Sequence, residues 1–72
     1  MKGGEQMGER IKQRRMELGI SQDELSKKSG ISRVQISNLE RGECRNAHGN
    51  TMMALAIALE TTVDWLFYGS SV

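Results

Sequence analysis

Arg33, Val34, Gln35, Ser37, Asn38 and Arg41 stand within nine residues of one another in the stretch SGISRVQISNLERG, residues 29 to 42. Their chemistry is complementary to base-pair edges. An arginine forks onto guanine, a glutamine or asparagine can serve adenine, and a valine can meet the methyl of thymine. The competing reading is an ordinary solvated face, although a purely solubilising surface more often carries Lys and Glu. To act together, these side chains must share one side of a rigid element. At about 100° per residue, Ile36, Leu39 and Glu40 fall within about 100° of each other, whereas Val34, Ser37, Asn38 and Arg41 occupy the opposite side with Arg33 and Gln35 flanking.

The elements that would position this helix are legible on either side of it. Met7, Ile11, Arg15 and Leu18 recur at helical spacing, with Gly19 as the stop. Ser21 and Glu24 form an S-x-x-E capping box that opens a second helix with Leu25 inward, and Gly30 closes it. Ser32 and Gln35 repeat the pattern as S-x-x-Q, so a third helix runs from about Arg33 to Gly42. Residues 43 to 50 carry turn formers and no period. Thr51 is the expected cap of MMALAIAL, with Met52, Leu55, Ala56 and Leu59 on the apolar face, and Thr61 and Thr62 precede a last short helix that ends at Gly69. No strand signal interrupts this all-α reading. Its domain spans residues 7 to 69, with an N-terminal arm over 1 to 6, expected to be flexible, and a tail over 70 to 72. Two helices joined through a tight glycine-bearing turn form the helix-turn-helix arrangement, whose second helix enters the major groove while the first crosses the backbone.

Composition narrows the function classes. A chain of 72 residues holds one small core, which disfavours an enclosed active site. Neither paired carboxylates, nor a nucleophile with its base, nor a phosphate-cradling glycine loop is present, so an enzyme is not expected. No apolar run approaches the roughly 18 residues of a membrane span, and MKGGEQMGER has no apolar segment resembling a secretory signal. With Cys44 as the single cysteine, the expectation is a reducing cytoplasm. His48 lacks neighbours at ligand spacing, so neither a metal, a cofactor nor a small-molecule ligand is expected. The net charge of +1 conceals an asymmetry: residues 10 to 45 hold nine Lys and Arg against five acids, and residues 46 to 72 only Glu60 and Asp64. A polyanion would meet the first two thirds of the chain, unless that charge is simply a solvated face.

On these residues a family resemblance rests. GERIKQRRMELGISQDELSKKSGISRVQISNLERG resembles the helix-turn-helix family of the phage repressors and Cro proteins, and TTVDWLFYGS resembles its C-terminal helix. The likeness is greatest to the N-terminal operator-binding domains of lambdoid phage repressors. It implies a compact five-helix, lambda-repressor-like bundle, a weak homodimer, and a palindromic double-stranded DNA operator. It also implies base contacts from Arg33, Val34, Gln35 and Asn38, with Val34 on a thymine methyl unless it packs locally. Gln22 falls on the family's phosphate-contacting glutamine, and Arg15 and Glu40 on its structural ion pair. Ser37, Arg41, Arg10 and Arg14 are further candidates for phosphate, as are Arg45 and Asn46 in the loop.

Four features depart from the family pattern or extend it. Ser26 and Ser29 stand where small apolar and leucine side chains are usual, and Glu60 replaces a glycine after helix four, where the backbone conformation is unfavourable for it. The loop lacks the usual proline. Ile57, Phe67 and Tyr68, apolar and beyond the expected core, suit a small dimer interface. Related functions sharing this fold are an antitoxin or a restriction-modification controller, and a protein-interaction module without DNA binding is the alternative of a different class.

The clustered cations predict binding that weakens steeply with salt. A plot of log affinity against log salt should fall with a slope of about −0.9 for each phosphate neutralised. Titration of a duplex between low and physiological salt checks this, and a flat response excludes the proposed surface.

Overall fold

The computed structural model describes residues 3–43 and 49–69, with the side chains of residues 3–6, 67 and 68 outside that description. Five helices follow in order: α1 (Gly3–Glu17), α2 (Gln22–Ser29), α3 (Arg33–Glu40), α4 (Gly49–Ala58) and α5 (Val63–Tyr68). No strand occurs among the described residues. Two boundaries differ from the sequence reading. α1 reaches back to Gly3, so the arm expected over residues 1 to 6 is helical from its third residue. Extending an established helix costs far less than nucleating one. α4 opens at Gly49, which places Thr51 inside its first turn instead of at the cap.

The caps at the other helix starts follow the sequence. Ser21 Oγ accepts from the Glu24 amide at 3.1 Å, and a Glu24 carboxylate oxygen accepts from the Ser21 amide at 2.9 Å, closing the capping box. Ser32 Oγ accepts from the Gln35 amide and Thr62 Oγ1 from the Trp65 amide, each at 3.1 Å. The second box stays half made. Among the described residues Gln35 does not return a bond to Ser32, which leaves its side-chain amide unengaged.

The core gathers one stripe from each helix. Met7 and Ile11 of α1, Leu25 of α2, Ile36 and Leu39 of α3, Met52, Leu55, Ala56 and Ala58 of α4, Leu59, and Leu66 of α5 are buried, and Leu18, Ile20, Ile31, Val63 and Trp65 close its rim. α1 packs on α3 and α5, α2 on α3 and α4, and α4 on α5, so α3 is held from two sides. Gly8 permits a close approach of α1 to the end of α3. A Cβ at this position would collide with the carbonyl oxygens of Leu39 and Glu40 at the end of α3, which are backbone and cannot swing away.

The departures noted at Ser26 and Ser29 have a structural reason. Ser26 Oγ donates to the Ile31 carbonyl at 2.6 Å, while Ser29 Oγ accepts from the Ile31 amide at 3.1 Å. Both backbone polar groups of Ile31, at the centre of the turn, are thus satisfied by α2. What these serines cost in apolar burial they return as a fixed angle between α2 and α3.

Glu60 has the conformation foreseen for it. Its φ is +58°, in the left-handed region, and it is the single non-glycine residue with positive φ among those described. The Thr61 amide bonds the Ala56 carbonyl and the Glu60 amide that of Ile57, which is the Schellman pattern that ends helices with glycine. A side chain there costs roughly 1–2 kcal/mol. Glu60→Gly should therefore stabilise the domain by about 1 kcal/mol, less the added chain entropy of glycine when unfolded. Urea denaturation monitored through Trp65 would read it as a higher midpoint with an unchanged slope.

Candidate nucleic-acid interface

α3 separates its two sides as its periodicity requires. Ile36 and Leu39 have no exposed surface, whereas Val34 is 70% exposed, a large value for an apolar side chain. Arg33, Val34, Ser37, Asn38 and Arg41 together line a shallow concavity of about 210 Å³. Gln35 stands half-buried at its flank, with its side-chain amide unengaged among the described residues. An α-helix with its side chains is about 10–12 Å across, and the B-DNA major groove is about 12 Å wide.

The position of α3 depends on one ion pair. Arg15 Nε donates to Glu40 Oε2 at 2.8 Å and Nη2 to Oε1 at 3.2 Å, a bidentate fork between α1 and α3. Both side chains are largely withdrawn from water, at 13% and 5% exposed. Arg15 Nη1 also donates to the Ile20 carbonyl at 3.0 Å, and Gln22 Nε2 to Glu40 Oε1 at 3.1 Å. The pair expected between Arg15 and Glu40 is present, and Gln22 joins it. One of the two amide hydrogens of Gln22 is thereby used internally, and the other is unengaged among the described residues.

Two of the candidate cations on α1 are turned to structural work. Arg10 Nε donates to the Leu66 carbonyl at 2.8 Å, and Arg14 Nε to the Leu59 carbonyl at 2.8 Å with Nη2 reaching that of Glu60 at 3.3 Å. These bonds tie α1 to the ends of α5 and α4, where unpaired carbonyls and the negative end of the helix dipole attract a cation. Arg10 and Arg14 thus have structural partners beside the phosphate role suggested for them. Sequence spacing alone could not separate them from Lys12, because an arginine that caps a distant helix has no local signature.

At the far end of α3, Arg41 Nη2 donates to Asn38 Oδ1 at 2.7 Å and Arg41 Nε lies 3.3 Å from Glu43 Oε2. While that bond holds, one of the two lone pairs of Asn38 Oδ1 is used within the protein. Arg33 Nε lies 3.2 Å from Asp23 Oδ1 across the turn. The sequence reading assigned no part to Asp23 or Glu43. On α4, Ile57 is 73% exposed, and Met53, one turn before it, is 55% exposed. Met53 was missed as a partner of Ile57, although the four-residue spacing could have found it. Phe67 and Tyr68 have side chains outside the described residues, as do Cys44, Arg45, Asn46 and His48 entirely.

A family model described as helix-turn-helix matches residues 11–66, most of the chain. The chain belongs to the helix-turn-helix family. Within it the protein is similar to repressor protein C2 of Salmonella phage P22, at 44% identity over 63 residues. That match covers 88% of this chain and 29% of the repressor, so the chain spans under a third of its relative's length. Among solved structures it is similar to the P22 c2 repressor crystallised with synthetic operator 9T, with a TM-score of 0.83, 44% identity, and 89% and 96% of the two chains covered. The restriction-modification controller protein C.AhdI of Aeromonas hydrophila gives 0.82 at 33% identity over the same shares. The two TM-scores are nearly equal, so the shared backbone does not choose between these relatives' roles.

The Arg15–Glu40 pair gives this family member a sharp stability test. Glu40→Ala leaves a guanidinium without its partner in a site shielded from water and should cost about 3 kcal/mol. The double change Arg15→Met with Glu40→Leu should cost less than Glu40→Ala alone, because no charge is stranded. Equilibrium unfolding of the two variants measures the difference.

Proposed function

We propose that the protein is a sequence-specific, double-stranded DNA-binding transcriptional regulator of the phage-repressor type, reading a palindromic operator through the major groove as a dimer. The observation that carries this reading is the outward side of α3. There, an exposed valine lies among arginine, serine and asparagine side chains, beside an unengaged glutamine, on a helix held rigid from behind. Arg33, Val34, Gln35 and Asn38 face the bases in this proposal. Gln22, Ser37 and Arg41 hold the phosphates on either side, with the amide ends of α2 directed at one of them.

A single copy offers one reading helix, and its longest dimension is 29 Å. Successive turns of the major groove on one face of the duplex lie about 34 to 36 Å apart. A second copy must supply the second half-site, and the exposed pair Met53 and Ile57 supports a small interface near α4 and α5. The higher identity to the P22 repressor than to the controller protein favours a repressor, which occludes a promoter by occupying its operator. A restriction-modification controller is the second reading, favoured by the near-equal structural likeness to C.AhdI.

Selection from random duplexes, followed by sequencing, tests the proposal directly. Enriched half-sites should repeat at roughly 10 to 10.5 base pairs. Saturation at one chain per duplex with a single half-site would remove the dimer, and no shift of any duplex at low salt would leave a protein-interaction module.

The selected site also separates the two roles open to Val34. Val34→Ala should weaken operator binding by about 1 kcal/mol and leave non-specific binding nearly unchanged, because valine neutralises no phosphate. Replacing the contacted thymine by uracil should reproduce that loss in the wild type and add little in the variant. Additive losses in this cycle mean that the valine and the methyl do not touch.

A further inference from the structure

The pairing of Arg33 with Asp23 is a feature that a phosphate-binding surface does not require. Arg33 opens α3 and Asp23 lies in the first turn of α2, so their contact crosses the helix-turn-helix unit. Both side chains face solvent, at 59% and 72% exposed, and the carboxylate therefore sits on the surface that would meet a polyanion. There it lowers the affinity for any phosphate nearby. The atoms in the contact are informative. Asp23 Oδ1 lies 3.2 Å from Nε of Arg33, and among the described residues neither nitrogen of the outer edge of the guanidinium, Nη1 or Nη2, makes a hydrogen bond. That edge carries the two parallel donors that fit O6 and N7 of guanine.

We propose that Asp23 is a specificity-determining positioning residue: it holds Arg33 by Nε so that the Nη1 and Nη2 edge reads a guanine, and its charge penalises contact of the same arginine with phosphate. The inference rests on the function proposed above and concerns how that surface discriminates. A phosphate can replace the carboxylate only by exchanging one anionic partner for another, which leaves Asp23 unpaired against the DNA backbone. A guanine asks for the other edge and leaves the ion pair intact. Asp23 thus separates two outcomes that an isolated arginine would accept alike. A similar economy holds at the other end of α3, where Glu43 and Asn38 engage Arg41.

The test uses the full chain with its selected duplex, the same duplex with the Arg33-contacted guanine pair exchanged for adenine and thymine, and an unrelated duplex. Asp23→Asn should tighten the unrelated duplex by about three- to tenfold at low salt and steepen the log-log salt slope by about 0.9, the share of one further phosphate. Its preference for guanine over adenine should fall by about tenfold, within the range of one bidentate base contact. Asp64→Asn, an equal charge change on α5, should raise all three affinities alike and leave the preference intact. Arg33→Lys keeps the charge and removes the fork, so adding Asp23→Asn to it should change the guanine preference no further. Unfolding midpoints verify that each variant is folded, and Asp23→Ser repeats the test should the asparagine variant fail. Equal tightening of all duplexes by Asp23→Asn, as with Asp64→Asn, overturns this inference and leaves the DNA-binding function standing. Absence of any wild-type complex overturns that function, and this inference with it.

Discussion

At Arg15, three segments meet in one set of hydrogen bonds. Its guanidinium forks onto Glu40 of α3 and reaches the Ile20 carbonyl before α2, while Gln22 of α2 donates to the same carboxylate. An ion pair this far withdrawn from water loses much of its hydration, and its attraction compensates only when the remaining donors and lone pairs are satisfied. Here Ile20 and Gln22 supply that satisfaction. The consequence is positional. A small core of aliphatic side chains fixes the burial of α3 but only loosely its rotation and tilt, whereas a bidentate pair at its C-terminal end fixes both.

The turn completes the constraint from the other end of α3. Ser26 and Ser29 satisfy the two backbone groups of Ile31, and Ser32 caps the helix that follows. With the ion pair at one end and the serines at the other, α3 has little freedom to rock on the core, and Gly8 lets α1 lie directly over its last carbonyls. Rigidity of this kind matters for reading bases, because hydrogen bonds to base edges weaken steeply with distance and angle. Phosphate contacts tolerate more error, being largely coulombic. The fold is strongly tied together at the helix to which the proposed function assigns discrimination.

Charge on this protein is divided between holding the fold and facing a partner. Arg10, Arg14 and Arg15 reach across to helix-end carbonyls and a carboxylate, so they contribute stability more than surface potential. Arg33 and Arg41 stay at the surface but are matched by Asp23 and Glu43. Lys12, Lys27 and Lys28 are the exposed cations that make no ion pair or hydrogen bond among the described residues, and two of them lie in the last turn of α2. The positive field met at a distance is therefore weaker than the count of basic residues implies. Such a surface relies on close fit for its affinity, and that suits selection of one sequence among many.

The sequence by itself determined the helices, because their signals are local. Capping serines and threonines, stopping glycines and apolar spacing act within a turn or two, and they placed α2, α3 and α5 and the two sides of α3. The same spacing fixed the inward Ile36 and Leu39 and the outward Val34, since any helix that buries the first two must expose the third. Even the strained backbone at Glu60 was legible, as a side chain standing where a helix end needs glycine. Tertiary structure alone decided which arginines face a partner and which cap a distant helix, and that Ser26 and Ser29 brace the turn. It also decided that Asp23 stands against Arg33. Each of these depends on a contact between residues from different elements, and nothing in the spacing along one helix records what the next helix brings beside it.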